Sequence, residues 1–254
     1  MKAMILAAGL GTRLCPLTDD RPKALVEVAG HTLLEITLRR LHGVGIREVI
    51  INLHHFADLV ADYLKKQGNF GMRIEISRED VLLDTGGGLK KAAWFFLEDP
   101  AHAAGREEEP FLLHNVDAIS TIDLERMVRF HRERQALATL AVQDRETSRY
   151  LLFDGQGQLC GRRRAGHDQA PEMARPSRQM HALAFSGIHV ISSRFLPMMA
   201  EQGVFSIIKT YLRLAGLGEK ILAFRADEYY WRDLGTPENV AQAAEDVKDG
   251  KLRL

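Results

Sequence analysis

Apolar positions in the first half of the chain recur in two alternating periods. Ala3 to Ala8 is a continuous apolar run, the mark of a strand buried on both faces, and it breaks into Gly9-Leu10-Gly11. Leu34, Leu38 and Leu41 fall at i, i+4 and i+7, which predicts a helix ended by the Gly43 to Gly45 stretch. Glu48 to Asn52 reads as the next strand, and Phe56, Val60, Tyr63 and Leu64 mark the buried side of the next helix. Met72 to Ser77 alternates as a strand, Leu89 to Leu97 reads as helix, and Phe111 to Asn115 reads as a strand ending just before Asp117. Asp123 to Gln135 is a charged amphipathic helix, followed by strand from Ala136 to Val142. The alternation predicts an α/β fold: a Rossmann-like, doubly wound, mostly parallel sheet with helices on both faces. In such a fold ligands gather at the C-terminal ends of the strands.

The second half has a different rhythm. Tyr150 to Asp154 and Gln158 to Arg162 flank Gly155-Gln156-Gly157 and predict a β-hairpin. From Arg163 to Gln179 the chain is polar, with Pro171 and Pro176, and reads as a mobile excursion. Ala182 to Ile191 resumes a strand, Ser206 to Ala215 a helix and Lys220 to Arg225 a strand. Thr236-Pro237 opens a last helix, with threonine as N-cap and proline at the first helical position. One domain is expected over 1–254. Within it 1–145 forms one part, 146–235 a smaller hairpin-bearing part, and 236–254 the C-terminal helix.

The chemistry starts at the first strand's exit. Gly9 and Gly11 bring backbone N–H groups close to an anion, and Arg13 and Lys23 supply a planar fork of donors and a compact charge. The spacing is neither a Walker A loop nor a dinucleotide fingerprint, because Leu14 stands where the third glycine would be.

The run Leu6-Ala7-Ala8-Gly9-Leu10-Gly11-Thr12-Arg13-Leu14, with Pro16-Leu17-Thr18 and Pro22-Lys23-Ala24-Leu25, resembles the signature of the sugar-phosphate nucleotidyltransferases. The resemblance continues in order through Asp84-Thr85-Gly86-Gly87-Gly88, Asn115-Val116-Asp117, Phe185-Ser186-Gly187 and Trp231-Arg232-Asp233-Leu234-Gly235-Thr236-Pro237. It implies transfer of a nucleotidyl group from a nucleoside triphosphate to a sugar 1-phosphate, with Mg²⁺ as cofactor, 1–145 as the mainly nucleotide-binding half and 146–235 as the mainly sugar-binding half. It also implies that Leu6, Ala8, Gly9, Gly11, Thr12 and Arg13 hold the triphosphate and that Gly86 and Gly87 seat the base. Asn52, Asn115 and Gly187 then face the sugar, Asp117 and Asp233 hold the metal, and Arg13, Lys23 and Asp117 are catalytic. The triple glycine is similar to that of uridylyltransferases acting on N-acetylmuramate 1-phosphate and of some guanylyltransferases, which puts UTP first and GTP second.

Two departures from that pattern stand out. Val116 replaces the glycine that many relatives carry before the metal aspartate, and a valine disfavours positive φ. The Glu-Lys-Pro run with which several relatives hold the sugar is absent. Arg162-Arg163-Arg164 lies nearby and reads as a solvated hairpin end in preference to a phosphate contact.

Composition narrows the alternatives. With 34 basic and 34 acidic residues the formal net charge is zero, so no global field recruits nucleic acid or an anionic membrane. Cys15 and Cys160, far apart, offer neither a disulfide framework nor cysteine-based zinc spacing, and a cytoplasmic location is expected. No apolar run approaches the ~20 residues of a membrane span. His54-His55 is adjacent, so the pair does not read as a metal site, and Trp94-Phe95-Phe96 reads as helix core. Two rivals keep parts of this picture: a non-catalytic regulatory homologue, which should have lost Arg13, Lys23 or an aspartate, and a nicotinamide-dependent oxidoreductase, which Leu14 argues against.

Overall fold

The computed structural model describes residues 1–97, 109–166 and 170–254. Its centre is β1 (Ala3–Leu6), which pairs in parallel with β4 (Glu48–Leu53) on one side and β6 (Phe111–Asn115) on the other. Parallel strands buried on both faces demand an unbroken apolar run. Ala3 and Ile5 join the core on one face, Met4 and Leu6 the core on the other, and none of the four is more than 7% exposed.

The first core is closed by α1 (Leu33–Gly43), α2 (Ala57–Lys66) and two later helices, α5 (Leu124–Arg134) and α7 (Pro237–Lys248). The second is closed by α3 (Asp84–Lys91), α4 (Trp94–Leu97) and α6 (Ile207–Gly216). Side-chain oxygens cap α1, α5, α6 and α7: Thr32 accepts from Glu35 N, Asp123 from Arg126 N, Ser206 from Ile208 N and Thr236 from Asn239 N. Each satisfies an N–H that the helix itself leaves unpaired.

Beyond β4 the sheet ends in parallel β5 (Arg73–Arg78). Between β2 (Glu27–Val28) and β3 (His31–Thr32) lies a small separate ribbon, and β7 (Ala118–Ser120) likewise leaves the main sheet. The second half adds β8 (Ala138–Gln143), β9 (Arg149–Phe153), β10 (Leu159–Arg164), β11 (Glu172–Met173), β12 (His181–Ile191) and β13 (Ile221–Arg225). β12 runs antiparallel to β6, β8 and β9, and carries the ten-stranded sheet from its parallel half into the hairpin. No helix among the described residues is long and apolar enough to cross a membrane.

Two expectations need correction. The helix expected from Leu89 begins at Asp84, so the triple glycine lies inside its first turns, and the Leu89 to Leu97 stretch divides into α3 and α4. The polar stretch after Arg163 is partly ordered, because β10 continues to Arg164 and β11 pairs with it. Residues 167–169 of that stretch lie outside the described residues. Both errors have one cause: polar or glycine-rich sequence was read as loop where backbone pairing and close packing sustain regular structure.

Burial holds three histidines neutral. Desolvation lowers His114 and His189 to about 3 and His131 to about 4, from 6.5. The unfolded chain therefore binds more protons than the native one below pH 6.5, so their contribution is complete above that pH and is lost as pH falls towards 3–4. Denaturant midpoints should drop steeply between pH 6 and 4.5, by about 1 kcal/mol per pH unit for each histidine. His131→Gln, which can still reach Thr139, should flatten that dependence.

Candidate active site

Register places three chain exits at one level. Leu6 on β1 stands opposite Asn52 on β4 and Asn115 on β6, so the loops after all three leave the same edge. The ladder continues briefly past the strands: Val116 N–H donates to Leu6 O at 3.1 Å. Val116 is not among the positive-φ residues. The turn therefore needs no glycine at this position.

Asn52 fixes the start of the glycine loop. It is 2% exposed; its Oδ1 accepts from Ala7 N–H at 2.8 Å and its Nδ2 donates to Glu79 Oε1 at 2.7 Å. The structure thus places this residue beneath the loop, as a clamp between β1 and β5. Glu79, also buried, accepts from Leu83 N–H at 3.0 Å as well and ties the clamp to the start of α3. Sequence reasoning missed Glu79, although it directly follows a strand, the position that singled out Asp117.

Gly11 sits at φ +68 and caps a short 3-10 turn, Thr12–Leu14, closed by Leu14 N–H to Gly11 O at 2.8 Å. Thr18 Oγ1 donates to the same carbonyl at 3.0 Å. This turn faces the second 3-10 turn, Lys23–Leu25, and leaves Arg13 exposed. Leu6 and Ala8 are buried beneath the loop, while Gly9 and Thr12 are exposed on it. A Cβ on Gly9 would stand 3.5 Å from Lys23 Nζ, so the ammonium lies directly against the glycine loop.

Lys23 Nζ donates to Asp117 Oδ2 at 2.9 Å, both side chains being largely buried. Asp117 O accepts from Leu234 N–H at 2.8 Å, and β14 (Trp231–Asp233) pairs antiparallel with β7, with Asp233 opposite Ala118. That ribbon brings the two sequence-distant aspartates together. Burial, then the charge of Asp117, raises the Asp233 carboxyl above its usual value; the Gly235 N–H at 2.9 Å and the cations Arg13 and Lys23 pull the other way. A Cβ on Gly235 would lie 2.6 Å from Asp233 Oδ1 and 2.7 Å from Arg13 Nη2, so a side chain here would displace one of the two groups. The predicted set Arg13, Lys23, Asp117 and Asp233 therefore meets in one place.

Asn115 and Gly187 also meet. β12 shifts register between Phe185 and His189, and Gly187 turns at φ +75 inside that irregularity. Its Cβ would lie 2.9 Å from Asn115 Nδ2.

The triple glycine is explained by packing. Gly86 and Gly87 N–H groups donate to Phe205 O at 2.9 and 3.2 Å. A Cβ at Gly86 would stand 2.4 Å from the Phe205 ring, one at Gly87 2.6 Å from Gly203 O, and one at Gly88 2.7 Å from both Asn52 Nδ2 and Glu79 Oε1. The glycines let α3 close on the 203–205 segment and on the Asn52–Glu79 clamp. His54 Nδ1 pairs with Glu79 O at 2.7 Å, and of the aromatic run expected to be helix core Phe95 and Phe96 are buried whereas Trp94 is exposed.

The site thus joins two hard carboxylates and two cations above a glycine loop at the C-terminal edge of a doubly wound sheet, an arrangement suited to phosphoryl oxygens. A family model described as Nucleotidyl transferase matches residues 2–250. The chain belongs to that family, and its class is that of the sugar-1-phosphate nucleotidyltransferases. It is 35% identical over 243 residues to an N-acetylmuramate alpha-1-phosphate uridylyltransferase of Caulobacter vibrioides, covering 93% of this chain and 92% of that one. It is 27% identical to a mannose-1-phosphate guanylyltransferase of Mycobacterium tuberculosis, covering 98% of this chain but 65% of that relative. In fold it is similar to a UDP-glucose pyrophosphorylase from Acinetobacter baumanii, with a TM-score of 0.74 at 18% identity over 96% of this chain and 91% of the other.

Gly86→Ala should lower stability by about 1–3 kcal/mol, because the new methyl meets both a ring and a carbonyl. Gly43→Ala, where nothing lies within 4 Å of the new carbon, should leave thermal stability unchanged or slightly raised. Paired thermal melts of the two variants check this.

Proposed function

We propose that this protein transfers a nucleotidyl group from a nucleoside triphosphate to a sugar 1-phosphate, releasing pyrophosphate, with UTP preferred and GTP second. The observation that carries the reading is the convergence of Lys23, Asp117, Asp233 and Arg13 at the exit of β1. UTP is placed first on the 35% identity to a uridylyltransferase along nearly the whole of both chains. The 27% identity to a guanylyltransferase favours GTP as the second reading.

A sugar 1-phosphate is already an oxyanion at neutral pH, so its attack on the α-phosphorus needs no general base. One of its oxygens forms the new P–O bond while the bond from the α-phosphorus to the bridging oxygen breaks, and the electron pair leaves with pyrophosphate. The demand on the protein is positioning and neutralisation of crowded negative charge. Gly9, Gly11 and Thr12 offer backbone N–H groups to the triphosphate, and Arg13, exposed at the loop tip, neutralises the departing pyrophosphate. Lys23 lies deeper, against both the loop and Asp117, where it draws the two reacting phosphates together. The shelf formed by Asn115 and Gly187 adjoins the same edge and suits the sugar. Gly86 and Gly87, packed on the 203–205 segment, hold the start of α3 in place for the base.

The two aspartates fit a magnesium ion. Both present hard oxygen ligands, and a divalent cation held by them would offset the charge of Asp117 that, after burial, raises the Asp233 carboxyl. No group of three or more metal-ligating side chains occurs among the described residues, so the remaining positions fall to substrate oxygens and water, as magnesium commonly accepts. When bound, the ion supplies charge neutralisation at the α-phosphate.

Pyrophosphate release measured across nucleoside triphosphates and sugar 1-phosphates tests the reading. Turnover should require Mg²⁺ and vanish in excess chelator, and Asp117→Asn or Asp233→Asn should each lower it more than about tenfold. Lys23→Ala should lower the rate at saturating substrates by more than ~100-fold, about 2.7 kcal/mol of transition-state stabilisation. Arg13→Lys should act mainly on KM for triphosphate, because it keeps the charge and loses the fork. Full activity with chelator would remove the metal assignment, and preference for ATP would overturn the nucleotide order.

A further inference from the structure

The strand pair that brings the two aspartates together stands apart from the main sheet. β7 and β14 form a separate two-stranded ribbon, three residues long on each side, with Ala118 opposite Asp233 and Ser120 opposite Trp231. A two-stranded ribbon of this length is not stable by itself in water. Its position over the glycine loop therefore comes from what grips it, and a reacting constellation tolerates misplacement of only about 0.5 Å.

β14 is gripped from two directions. Trp231 Nε1 donates to Ser186 O on β12 at 2.7 Å. Buried Asp246 on α7 accepts from Tyr230 Oη at 2.7 Å and from Arg232 Nη2 at 2.8 Å. On the β7 side the grip comes from a side chain of α1. Arg40 Nη1 donates to Ser120 Oγ at 2.7 Å, and Nη2 of the same guanidinium donates to Ile122 O. Those two acceptors bracket Thr121, whose N–H donates to Tyr230 O at 3.0 Å and whose Oγ1 accepts from Tyr230 N–H at 3.1 Å. One planar fork thus holds the end of the ribbon remote from Asp117.

Arg40 is a poor device for stability alone. Among the described residues no ion pair engages it, whereas the preceding residue, Arg39, pairs with Glu35 at 2.8 Å. Burial, only partly offset by the charge of Asp123, lowers the Arg40 guanidinium to about 10. A desolvated cation without a counter-ion is a burden on the fold that an apolar side chain avoids. What the guanidinium offers instead is a rigid pair of donors, pre-organised to fix two acceptors at once.

We propose that Arg40 is a positioning residue: its fork on Ser120 and Ile122 sets the placement of the β7–β14 ribbon and, through it, of Asp117 and Asp233 over the glycine loop. The effect on turnover rests on the transfer reading above; the anchoring does not.

The test combines amide hydrogen exchange with steady-state kinetics on the full chain. Arg40→Met removes fork and charge, Arg40→Lys keeps the charge without the fork, and Arg39→Met removes the neighbouring cation as a control. Both Arg40 variants should speed exchange about tenfold or more in peptides covering 118–122 and 230–234, while peptides covering β1 and β4 exchange as in wild type. Their denaturant midpoints should stay close to that of wild type, since relief of desolvation opposes the loss of two hydrogen bonds. With the triphosphate and sugar 1-phosphate that wild type turns over fastest, kcat should fall about tenfold or more and KM for triphosphate should change less than about threefold, because the loop itself is untouched. Arg39→Met should match wild type in ribbon exchange and kcat. Ser120→Ala, which removes one acceptor, should act in the same direction by less and add nothing in the Arg40→Met background.

Faster ribbon exchange with unchanged kcat, or lower kcat with ribbon exchange as in wild type, overturns the positioning role. Full recovery of kcat in Arg40→Lys assigns the effect to charge and overturns it as well, and so does faster exchange throughout the chain with a lowered midpoint. If Arg40→Met does not fold, Arg40→Lys and Ser120→Ala carry the same comparison. Without turnover in the wild type the transfer reading falls, and the exchange comparison still upholds or overturns the anchoring.

Discussion

Register between β1, β4 and β6 is the constraint on which the site depends. Because Leu6, Asn52 and Asn115 stand side by side, the glycine loop, the Asn52 amide and the Asp117 turn leave the sheet at one level. A slip of one residue would send Ala3 and Ile5 into the opposite core and unseat both faces together. The apolar pattern that builds the core therefore also aligns the chemistry. Where the ladder runs out, the Asn52 carboxamide substitutes for a strand by accepting the Ala7 N–H.

Above that edge the problem is charge. Burial, and then the charge of Asp117 brought close by the β7–β14 ribbon, raises the Asp233 carboxyl, and the structure offsets this with the Gly235 N–H, Arg13 and Lys23. Lys23 thus balances Asp117 while its ammonium lies directly against the glycine loop. The glycines around the site serve the same compactness. Gly235 makes room for Arg13 and Asp233, and Gly86 to Gly88 let α3 settle onto backbone carbonyls and the Asn52–Glu79 clamp.

The antiparallel half brings a different kind of positioning. β12 bends at Gly187 after pairing with β9 and then continues along β6, so one strand connects the hairpin to the parallel core. Arg145, just past β8, thereby meets the Phe185 carbonyl on β12 and the Trp231 ring on β14, although nothing in their spacing relates them. Arg145 directly follows the last residues of β8 much as Asp117 follows β6.

The sequence by itself determined the alternation of strands and helices, the loop with Arg13 and Lys23, and the candidacy of Asp117 and Asp233. The elements and the loop were legible because core strands need unbroken apolar runs, helices need 3.6-residue periodicity and phosphate loops need glycines beside cations, all local requirements, whereas the two aspartates stood out only through the resemblance of their motifs to a known family. Tertiary structure alone decided that Asn52 clamps the loop from below, that Gly86 and Gly87 answer to Phe205 and Gly203, and that Arg162 pairs with Glu172 while Arg163 lies over the Tyr150 ring. Those outcomes depend on contacts between segments far apart in the chain, such as the amide of Asn52 with Glu79 or the guanidinium of Arg145 with Trp231. A residue's type and its sequence neighbours constrain backbone shape and solvent preference, but not which distant group arrives within 3 Å.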